Sequence, residues 1–397
     1  MIEPVAITAY TCISAAGDGV EALWQALVDN RCRLSSLKLF ELPFETVVGA
    51  VKTPLPEVSE RLAAYGCRNA RLALKALNQD GFRARVEEAM DRYQRERVGL
   101  VLGTSTSGIY DSEAVYTRFL ETGTMPSDFH FMRRHAAQAT AEFLALELGL
   151  AGPSYAISTA CSSSAKALAA GQRLISAGVC DAVLVAGVDT LCRLTLRGFH
   201  SLELIDPQPC RPMDSSRRGI NIGEGAGMLL LERRAAANAG APFLLAVGES
   251  SDAHHMSAPH PDGAGAARAM AMALERAGVS PESVDYINLH ATATPLNDQS
   301  EARAVTQMFP KPPPCSGVKG LLGHTLGAAG AVEAVVSLLA LERGLLPGTC
   351  GFRELGVDSA LPVLGDPQAG ARPRHVLSNA FGFGGNNASV LLRSGGA

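Results

Sequence analysis

The sequence predicts an α/β protein, because apolar strand-like runs alternate with alanine-rich helical patterns. Apolar strands of this kind are typical of a sheet that helices cover on both faces. The alternation is clearest in the first half of the chain, over VGLVLG (98–103), AAQATAEFLALELGL (136–150), PSYAIST (153–159), SSSAKALAAGQRLISAGV (162–179) and DAVLVAGVD (181–189).

The length and composition predict a large core divided between two parts. The chain has 397 residues, of which 47% are hydrophobic, and this is too much for a single small domain. Strand character is lost between about 235 and 245, in LERRAAANAGAP. We therefore expect two covalently continuous halves, residues 1–240 and 241–397.

The second half repeats the first more faintly. A small-residue helix begins after Cys161 and ends near Gly178, and GAAGAVEAVVSLLALERG (327–344) predicts a second helix that is also followed by a turn. Alanine and glycine allow helices to pack closely at a buried centre. Either an internal duplication or a chance similarity between two alanine-rich helices accounts for this pattern.

The charge balance and the cysteine spacing argue against several classes of function. A formal charge of −4, without long runs of one sign, does not favour a nucleic-acid surface, so we expect a small or protein-borne substrate. Nine cysteines are scattered without a C-x-x-C pair, which argues against a zinc site and a disulfide framework. We therefore predict no bound metal, and we expect most of these thiols to be buried, reduced and inert.

The amino terminus and the hydropathy pattern bear on location. MIEPVAITAY carries an acid at Glu3 and then resembles a strand rather than a secretory signal. No segment reaches about 18 uninterrupted apolar residues, so we expect no membrane span. These features predict a cytoplasmic protein.

Cys161 lies where a strand-like run, YAIST, breaks into a helix-like run, SSSAKALAAGQRLI. The thiolate is the reactive form of cysteine, and a helix amino terminus lowers a thiol pKa because its free N–H groups favour an anion. Most cysteines fill buried apolar space. The position of Cys161 in a strained, small-residue turn makes it a candidate nucleophile.

His290 ends a second strand-like run, VDYINLH, and precedes Ala-Thr-Ala-Thr-Pro. In an extended segment Thr292 and Thr294 point the same way and could donate hydrogen bonds to one polar ligand arm. Threonines at a strand end also bond their own backbone, which is the alternative interpretation. Asp298 and Glu301 are typical of a helix-start capping box.

His324 lies in a stretch with glycines at 317, 320, 323, 327 and 330, a density that indicates tight turns and close approach to another element. Lys319 is unusual in such an apolar stretch and requires an anionic partner. Glu333, on the helix that follows, is the best candidate for that partner.

A glycine-rich loop lies near the carboxyl terminus, where HVLSNAFGFGGNNASVLL predicts two strands around Phe381-Gly-Phe-Gly-Gly385. Backbone N–H groups in such a loop are available to bind an anion, as an oxyanion hole requires. Together with one cysteine and two histidines, this loop predicts acyl transfer through a thioester.

These motifs resemble the β-ketoacyl-acyl carrier protein synthases of the elongating Cys-His-His type, within the thiolase superfamily. The resemblance covers nearly the whole chain, including RPMDSSRRGINIGEGAGMLLLE (211–232) and SSDAHHMSAPHPDGAGAARAM (250–270). It implies a thiolase-like fold, in which two similar βαβαβαββ halves form a five-layered α-β-α-β-α arrangement, usually as a homodimer.

The resemblance also implies a division of labour. Cys161 would take the primer acyl group from a phosphopantetheine thioester of acyl carrier protein. His290 and His324 would assist decarboxylation of a malonyl extender and stabilise the enolate. Lys319, in contact with Glu333, would orient the two histidines electrostatically.

Further roles follow from the same resemblance. The backbone N–H groups of Cys161 and Phe383 would form an oxyanion hole, with Phe383 gating access and Gly384 and Gly385 supporting the loop. Thr292 and Thr294 would hold the phosphopantetheine arm. No metal or redox cofactor would be needed. Basic side chains near the pocket mouth would dock the acidic carrier, and the candidates are Arg61, Arg68, Arg133 and Arg134.

Five places depart from the family pattern. Ala291 replaces a frequent Gly, Gln299 a Lys, and Val318 and Asn386 a Thr each. Residues 213–218 read Met-Asp-Ser-Ser-Arg-Arg, where Phe and a final Asp are frequent. These departures favour a specialised polyketide or polyene pathway over housekeeping fatty acid synthesis.

Two other interpretations can be tested by the residues that the sequence carries at particular positions. A non-decarboxylating thiolase acting on coenzyme A esters should carry a second cysteine near the carboxyl-terminal glycine loop, where this chain has Phe383. A non-catalytic chain-length factor would lack the nucleophile, whereas this chain has Cys161. The chain could still be the active member of a heterodimer with such a factor.

Overall fold

The computed structural model describes residues 2–233 and 240–396. Over these residues the strands are β1 Val5–Ser14, β2 Gly17–Asp18, β3 Ser35–Ser36, β4 Val47–Val48, β5 Val98–Gly103, β6 Ser154–Ile157, β7 Ala182–Asp189, β8 Gly225–Arg233, β9 Phe243–Ser251, β10 Tyr286–Asn288, β11 Cys315–Ser316, β12 Leu345–Leu346, β13 Gln368–Ala369, β14 His375–Gly382 and β15 Asn386–Arg393. The α-helices are α1 Gly19–Asp29, α2 Arg68–Leu77, α3 Phe82–Tyr93, α4 Ile109–Thr122, α5 Phe131–Arg134, α6 Ala139–Leu148, α7 Ser163–Ser176, α8 Arg193–Ser201, α9 Ala264–Ala277, α10 Pro295–Met308, α11 Lys319–Leu322 and α12 Ala329–Arg343.

Strand order shows that the chain folds as two similar halves. In the first half the order from the join outwards is β1-β8-β7-β5-β6, and in the second half it is β9-β15-β14-β10-β11. In each half the first two pairs are antiparallel and the last two are parallel. This shared order and direction favour an internal duplication over chance similarity, and β1 pairs with β9 to join the halves.

The core is arranged in five layers. Helices α7 and α12 form the central layer and pack, in one apolar cluster, against inner faces of both half-sheets. The outer faces are covered by α2, α3 and α6 in the first half and by α9 and α10 in the second. The predicted α-β-α-β-α arrangement of a thiolase-like fold is confirmed.

Small residues allow the two central helices to approach closely. A Cβ added at Gly330 of α12 would lie 2.5 Å from the backbone nitrogen of Ala165 in α7. The prediction of close helix packing from alanine and glycine content is therefore confirmed.

The structure bears on three expectations: the boundary between the halves, the state of the cysteines and the absence of a membrane span. The expected join at about 235–245 includes residues 235–239, which lie outside the described residues, and the boundary at 240 stays a prediction. Eight of the nine cysteines are buried and all nine thiols are free, but Cys32 is exposed. Among the described residues, no helix has the length and apolar character to cross a membrane.

Candidate active site

The fold brings together the three side chains that the sequence singled out. The sulfur of Cys161 and a ring nitrogen from each of His290 and His324 all lie within 4.8 Å of one another. The Nε2 atom of His324 is 3.0 Å from the Cys161 sulfur. The two imidazole rings meet edge to face, with their centroids 5.3 Å apart.

The turn that carries Cys161 is strained, as predicted. Strand β6 ends at Ile157, and α7 begins at Ser163, two residues after the nucleophile. Between them Ala160 adopts a φ of 52°, a left-handed conformation that costs a non-glycine residue about 1–3 kcal/mol. The Ala160 carbonyl accepts hydrogen bonds from the hydroxyls of Ser105 and Ser163, which hold this conformation.

The prediction that the helix start lowers the pKa of Cys161 is wrong. Burial raises the pKa of this thiol to about 12, and this desolvation exceeds the opposing effects of the Lys319 charge and of the N–H groups of Phe383 and Cys161 itself. Cys161 is therefore a neutral thiol at rest. The same N–H groups become useful when charge develops on the sulfur during attack.

Hydrogen bonding fixes the tautomer of His324. Its Nδ1 atom accepts the backbone N–H of Leu326 at 3.3 Å, so we assign the ring proton to Nε2, which faces the Cys161 sulfur. Burial, followed by the Lys319 charge, lowers the pKa of His324 well below its usual value. The ring is a neutral hydrogen-bond donor at physiological pH.

A buried carboxylate positions the His290 loop. Glu301 accepts the backbone N–H groups of His290 and Ala291, both at 2.8 Å, and the side-chain amide of Asn379 at 3.1 Å. Asp298 accepts the N–H groups of Ala293 and Met213. The capping-box interpretation is wrong, because both acids bind loops outside their own helix; their role in holding structure is confirmed.

The environment of His290 matches that of His324. The residue is 1% exposed, and burial lowers its pKa well below the usual value, with the Lys319 charge and the neighbouring His324 ring as further causes. Its Nδ1 atom is buried with no hydrogen-bond partner among the described residues.

Lys319 and Glu333 form the predicted ion pair. The Lys319 Nζ atom lies 2.5 Å from Glu333 Oε1, and both side chains are buried. Burial raises the pKa of Glu333, and the Lys319 charge opposes this effect. The Lys319 charge, after burial, lowers the pKa values of both histidines and so helps to keep both rings neutral.

The two threonines do point the same way, although for another reason than the one predicted. Strand β10 ends at Asn288, and the segment beyond it is not extended, because Ala291 and Ala293 have φ values of 38° and 68°. This turn brings the hydroxyls of Thr292 and Thr294 within 2.9 Å of each other. Ala291 thus occupies a left-handed position, which glycine would adopt without strain.

The glycine-rich loop lies over the nucleophile. A Cβ added at Gly382 would lie 3.1 Å from the Cys161 backbone nitrogen, and the Phe383 ring lies 5.4 Å from that of Phe199. The Phe383 N–H opposes the rise in the pKa of Cys161. Gly384 and Gly385 have φ values of 75° and 70°, which glycine adopts without strain. The N–H of Gly384 is already bound to the Met256 carbonyl, so it is not free for an anion.

Sequence reasoning missed Asp189, the carboxylate at the end of β7. It is fully buried and accepts the hydroxyls of Thr104 and Thr106, at 2.8 and 2.6 Å, and the Ala328 N–H just beyond His324. Asp189 thereby ties the end of β5 to the His324 turn. The sequence feature that could have identified Asp189 is a single acidic residue at the end of an otherwise apolar strand.

The three reacting groups open into a cavity of about 310 Å³. Its wall includes the two threonines and Phe383, so the structure gathers most predicted site residues around one space. The further lining residues are Phe199, Leu202, Glu203, Leu204, Arg218, Ile220, Asp252, Ser257, Ala258, Pro259, Pro295, Leu296, Asn297, Phe381, Gly382 and Asn387.

The arginines suggested for carrier docking do not line this cavity. The guanidinium of Arg68 forms an ion pair at 2.5 Å with the fully buried Glu224, which compensates its charge. The docking role of these four arginines stays a prediction. Among the departures, Asn386 accepts the Lys166 ammonium at 2.8 Å and Gln299 hydrogen-bonds to Asp358. Val318 is a buried apolar residue.

Stability is expected to fall as the pH drops below 6.5, the usual His pKa. Both buried histidines stay neutral in the folded state, whereas the unfolded chain protonates them, so unfolding takes up protons. Each contributes up to about 1.4 kcal/mol of lost stability per pH unit. Denaturant unfolding of the wild type and of His290→Asn and His324→Asn, from about pH 7.5 to about pH 5.5, measures the effect.

Both variants keep Glu301, whose pKa burial raises to about 7 and whose contribution has the opposite sign, so it cancels in the comparison. We expect a shallower pH dependence in each variant. Equal slopes in all three proteins would contradict the assignment of neutral, buried histidines.

Comparison with known protein families identifies two adjoining matches. Residues 2–237 match the family model of the beta-ketoacyl synthase N-terminal domain, and residues 243–353 match that of the C-terminal domain. The chain is also 31% identical to the mitochondrial 3-oxoacyl-[acyl-carrier-protein] synthase of Arabidopsis thaliana, over 98% of this chain and 93% of that protein.

Comparison with solved structures points to the same family. A chain from the complex of the ketosynthase ApeO with its chain length factor ApeC, from Xenorhabdus doucetiae, is 41% identical, with a TM-score of 0.91 over 99% of this chain and 98% of that one. A chain of the ishigamide ketosynthase/chain length factor is 30% identical, with a TM-score of 0.90 over the full length of both. The chain therefore belongs to the beta-ketoacyl synthase family.

Proposed function

We propose that this chain condenses an acyl primer with malonyl-acyl carrier protein to give 3-oxoacyl-acyl carrier protein. The observation that carries the proposal is the contact of His324 Nε2 with the Cys161 sulfur at 3.0 Å, beside a second neutral histidine. A thiol nucleophile with two neutral N–H donors suits reactions in which negative charge develops and then disappears.

In the first half-reaction Cys161 takes the primer. A bond forms between its sulfur and the acyl carbon, the bond to the phosphopantetheine sulfur breaks, and the proton of the Cys161 thiol passes to the departing thiolate, which leaves as a free thiol. The transient oxyanion is stabilised by the N–H groups of Cys161 and Phe383, with the Gly384–Gly385 turn setting the position of the loop. The Phe383 ring, against Phe199, gates entry.

In the second half-reaction the extender loses carbon dioxide. The electron pair of the broken C–C bond forms an enolate, whose oxygen accepts N–H bonds from His290 and His324. The enolate carbon then attacks the Cys161 thioester, which releases the thiolate. The hydroxyls of Thr292 and Thr294 hold the phosphopantetheine arm, and burial together with the Lys319 charge keeps both rings neutral.

The chemistry requires no cofactor, because decarboxylation generates the carbanion and supplies the driving force. The substrates carry their own phosphopantetheine on the acyl carrier protein. Neither a metal nor a redox group enters any step. We place the enzyme in the cytoplasm, in a type II fatty acid or specialised polyketide or polyene pathway.

Replacing His290 with Ala is expected to separate the two half-reactions. Acyl transfer to Cys161 should persist, while 3-oxoacyl product should fall by about 10²–10³-fold, the usual cost of removing one oxyanion donor. Intact-mass analysis measures acyl loading, and product assay with malonyl-acyl carrier protein measures condensation. His130→Ala, at an exposed histidine, is the control. A His290→Ala protein that condenses at the wild-type rate would overturn the assigned role.

We further propose that the chain works as half of a dimer. An apolar surface remains exposed, formed by Tyr116, Leu120, Met125, Phe131 and Met132, each at least 48% exposed. Isolated chains do not usually leave such a surface uncovered. Although a homodimer is the general expectation for the family, the similarity to chains of ketosynthase/chain length factor complexes favours a dissimilar partner.

Size-exclusion chromatography coupled to mass spectrometry, on protein purified from its host, is expected to show this chain with one dissimilar subunit of similar size. Two copies of this chain would establish the homodimer instead. A monomer active in condensation would contradict both forms of the proposal.

A further inference from the structure

A second group of cysteines lines a cavity away from the nucleophile. Cys32, Cys210 and Cys350 all face this space, which we call the thiol cavity and which has a volume of about 470 Å³. The thiol cavity adjoins the backbone of Lys319 and Gly320. Gly320 forms part of its wall, and the Cys210 thiol lies 3.6 Å from the Lys319 carbonyl oxygen. None of these cysteines has a part in the proposed condensation.

Two of the three thiols form a pair of unequal reactivity. Cys32 is exposed to solvent, Cys350 is buried, and both line the thiol cavity. The backbone brings their segments together, because the Arg33 N–H binds the Leu321 carbonyl at 2.9 Å and a Cβ added at Gly320 would lie 2.3 Å from the Cys350 carbonyl oxygen. The Cys350 thiol, with smaller contributions from the Leu34 backbone and the Lys52 charge, lowers the pKa of Cys32 to about 7. The Cys32 thiol and burial raise the pKa of Cys350. Cys32 is therefore the nucleophilic member of the pair.

The thiol cavity is also positively charged. Among the described residues that line it, three are arginines, Arg211, Arg218 and Arg353, and one is a carboxylate, Asp206, which pairs with Arg218 at 3.1 Å. An anionic molecule should therefore enter more readily than a cationic one.

We propose that Cys32 and Cys350 form a thiol–disulfide exchange site for anionic low-molecular-weight disulfides. The Cys32 thiolate attacks one sulfur of the reagent, a Cys32–S–S–R bond forms, and the other half leaves as a thiolate. Cys350 then loses its proton and attacks the Cys32 sulfur. This releases the second half as a thiol and leaves a Cys32–Cys350 disulfide, so two protein thiols are oxidised and one reagent disulfide is reduced.

The catalytic cysteine should not compete for the same reagent. Cys161 is buried at rest and lacks the thiolate that Cys32 provides near neutral pH. Exchange at Cys32 is thus expected to be faster than any modification of Cys161. It can be measured independently of the condensation reaction.

Intact-mass analysis and peptide mapping of the full chain, incubated at neutral pH with dithiodipropionate, test the proposal. We expect the wild type to lose two hydrogen atoms and to yield a Cys32–Cys350 linked peptide. Cys350→Ser should stop at a mixed disulfide on Cys32, and Cys32→Ser should remain unmodified. Cys192→Ser, a buried cysteine near the Thr195 hydroxyl, is the matched control and should behave as wild type.

A second experiment tests the preference of the thiol cavity for anionic disulfides. Cystamine, the cationic counterpart, should react more slowly with Cys350→Ser than dithiodipropionate does, and added salt should narrow the difference. A wild type that stays reduced, or a mixed disulfide that maps to another cysteine, would overturn the exchange site. Equal rates for the two reagents would overturn its preference for anions.

Discussion

Cys161→Ala is expected to abolish both acyl loading and condensation, with kcat falling by about 10⁴-fold or more, the scale seen when a covalent nucleophile is removed. The alanine leaves the two histidines and the Phe383 N–H in place but provides no atom to hold the acyl group. The measurement is intact mass after incubation with acyl-acyl carrier protein, followed by product assay with the malonyl extender.

The control for this variant is Cys192→Ala, another buried cysteine that the proposed mechanism does not use. An acyl-enzyme that still forms in Cys161→Ala would identify another cysteine as the nucleophile. Cys161→Gln should retain decarboxylation without condensation, because the amide oxygen can accept the N–H bonds that surround the sulfur while the extender site stays intact. Loss of carbon dioxide release in this variant would contradict a separate extender site.

Lys319→Met is expected to lower the free energy of unfolding by about 3–5 kcal/mol, since removing one partner of a buried pair leaves the other charge uncompensated. Glu333 is the charge left behind, 2.5 Å from the lost ammonium. Because a buried carboxyl can take up a proton, the loss should grow as the pH rises above neutrality. Denaturant unfolding at two pH values measures both the loss of unfolding free energy and the direction in which that loss changes with pH.

The double variant Lys319→Met/Glu333→Leu separates structure from catalysis. Replacing both charges with apolar side chains should recover most of the stability, because neither burial penalty remains. Condensation should stay impaired, since the Lys319 charge, which acts with burial to lower the pKa values of both histidines, is lost. Full recovery of kcat with stability would show that the pair serves only the fold.

The positions of the reacting groups along the chain were predictable, but their surroundings were not. Each of Cys161, His290 and His324 lies at a local break between an apolar run and small residues, which the sequence displays directly. The capping-box interpretation of Asp298 and Glu301 failed because both acids bind backbone outside their helix. Besides the nearby 290–293 loop, their partners include Met213 and Asn379, which lie 85 and 78 residues away in the chain. Asp189 escaped notice for the same reason, since it lies 139 residues from Ala328.

The sequence by itself determined the α/β alternation, the small-residue helices, the reacting side chains and the Lys319–Glu333 pair, because periodicity and residue chemistry are local properties. Only the tertiary structure decided that Cys161 rests as a neutral thiol, that both histidines are neutral donors, and that Cys32 meets Cys350 in a separate cavity. Those properties depend on desolvation and on contacts between distant segments, and neither is defined until the two halves have packed around their central helices.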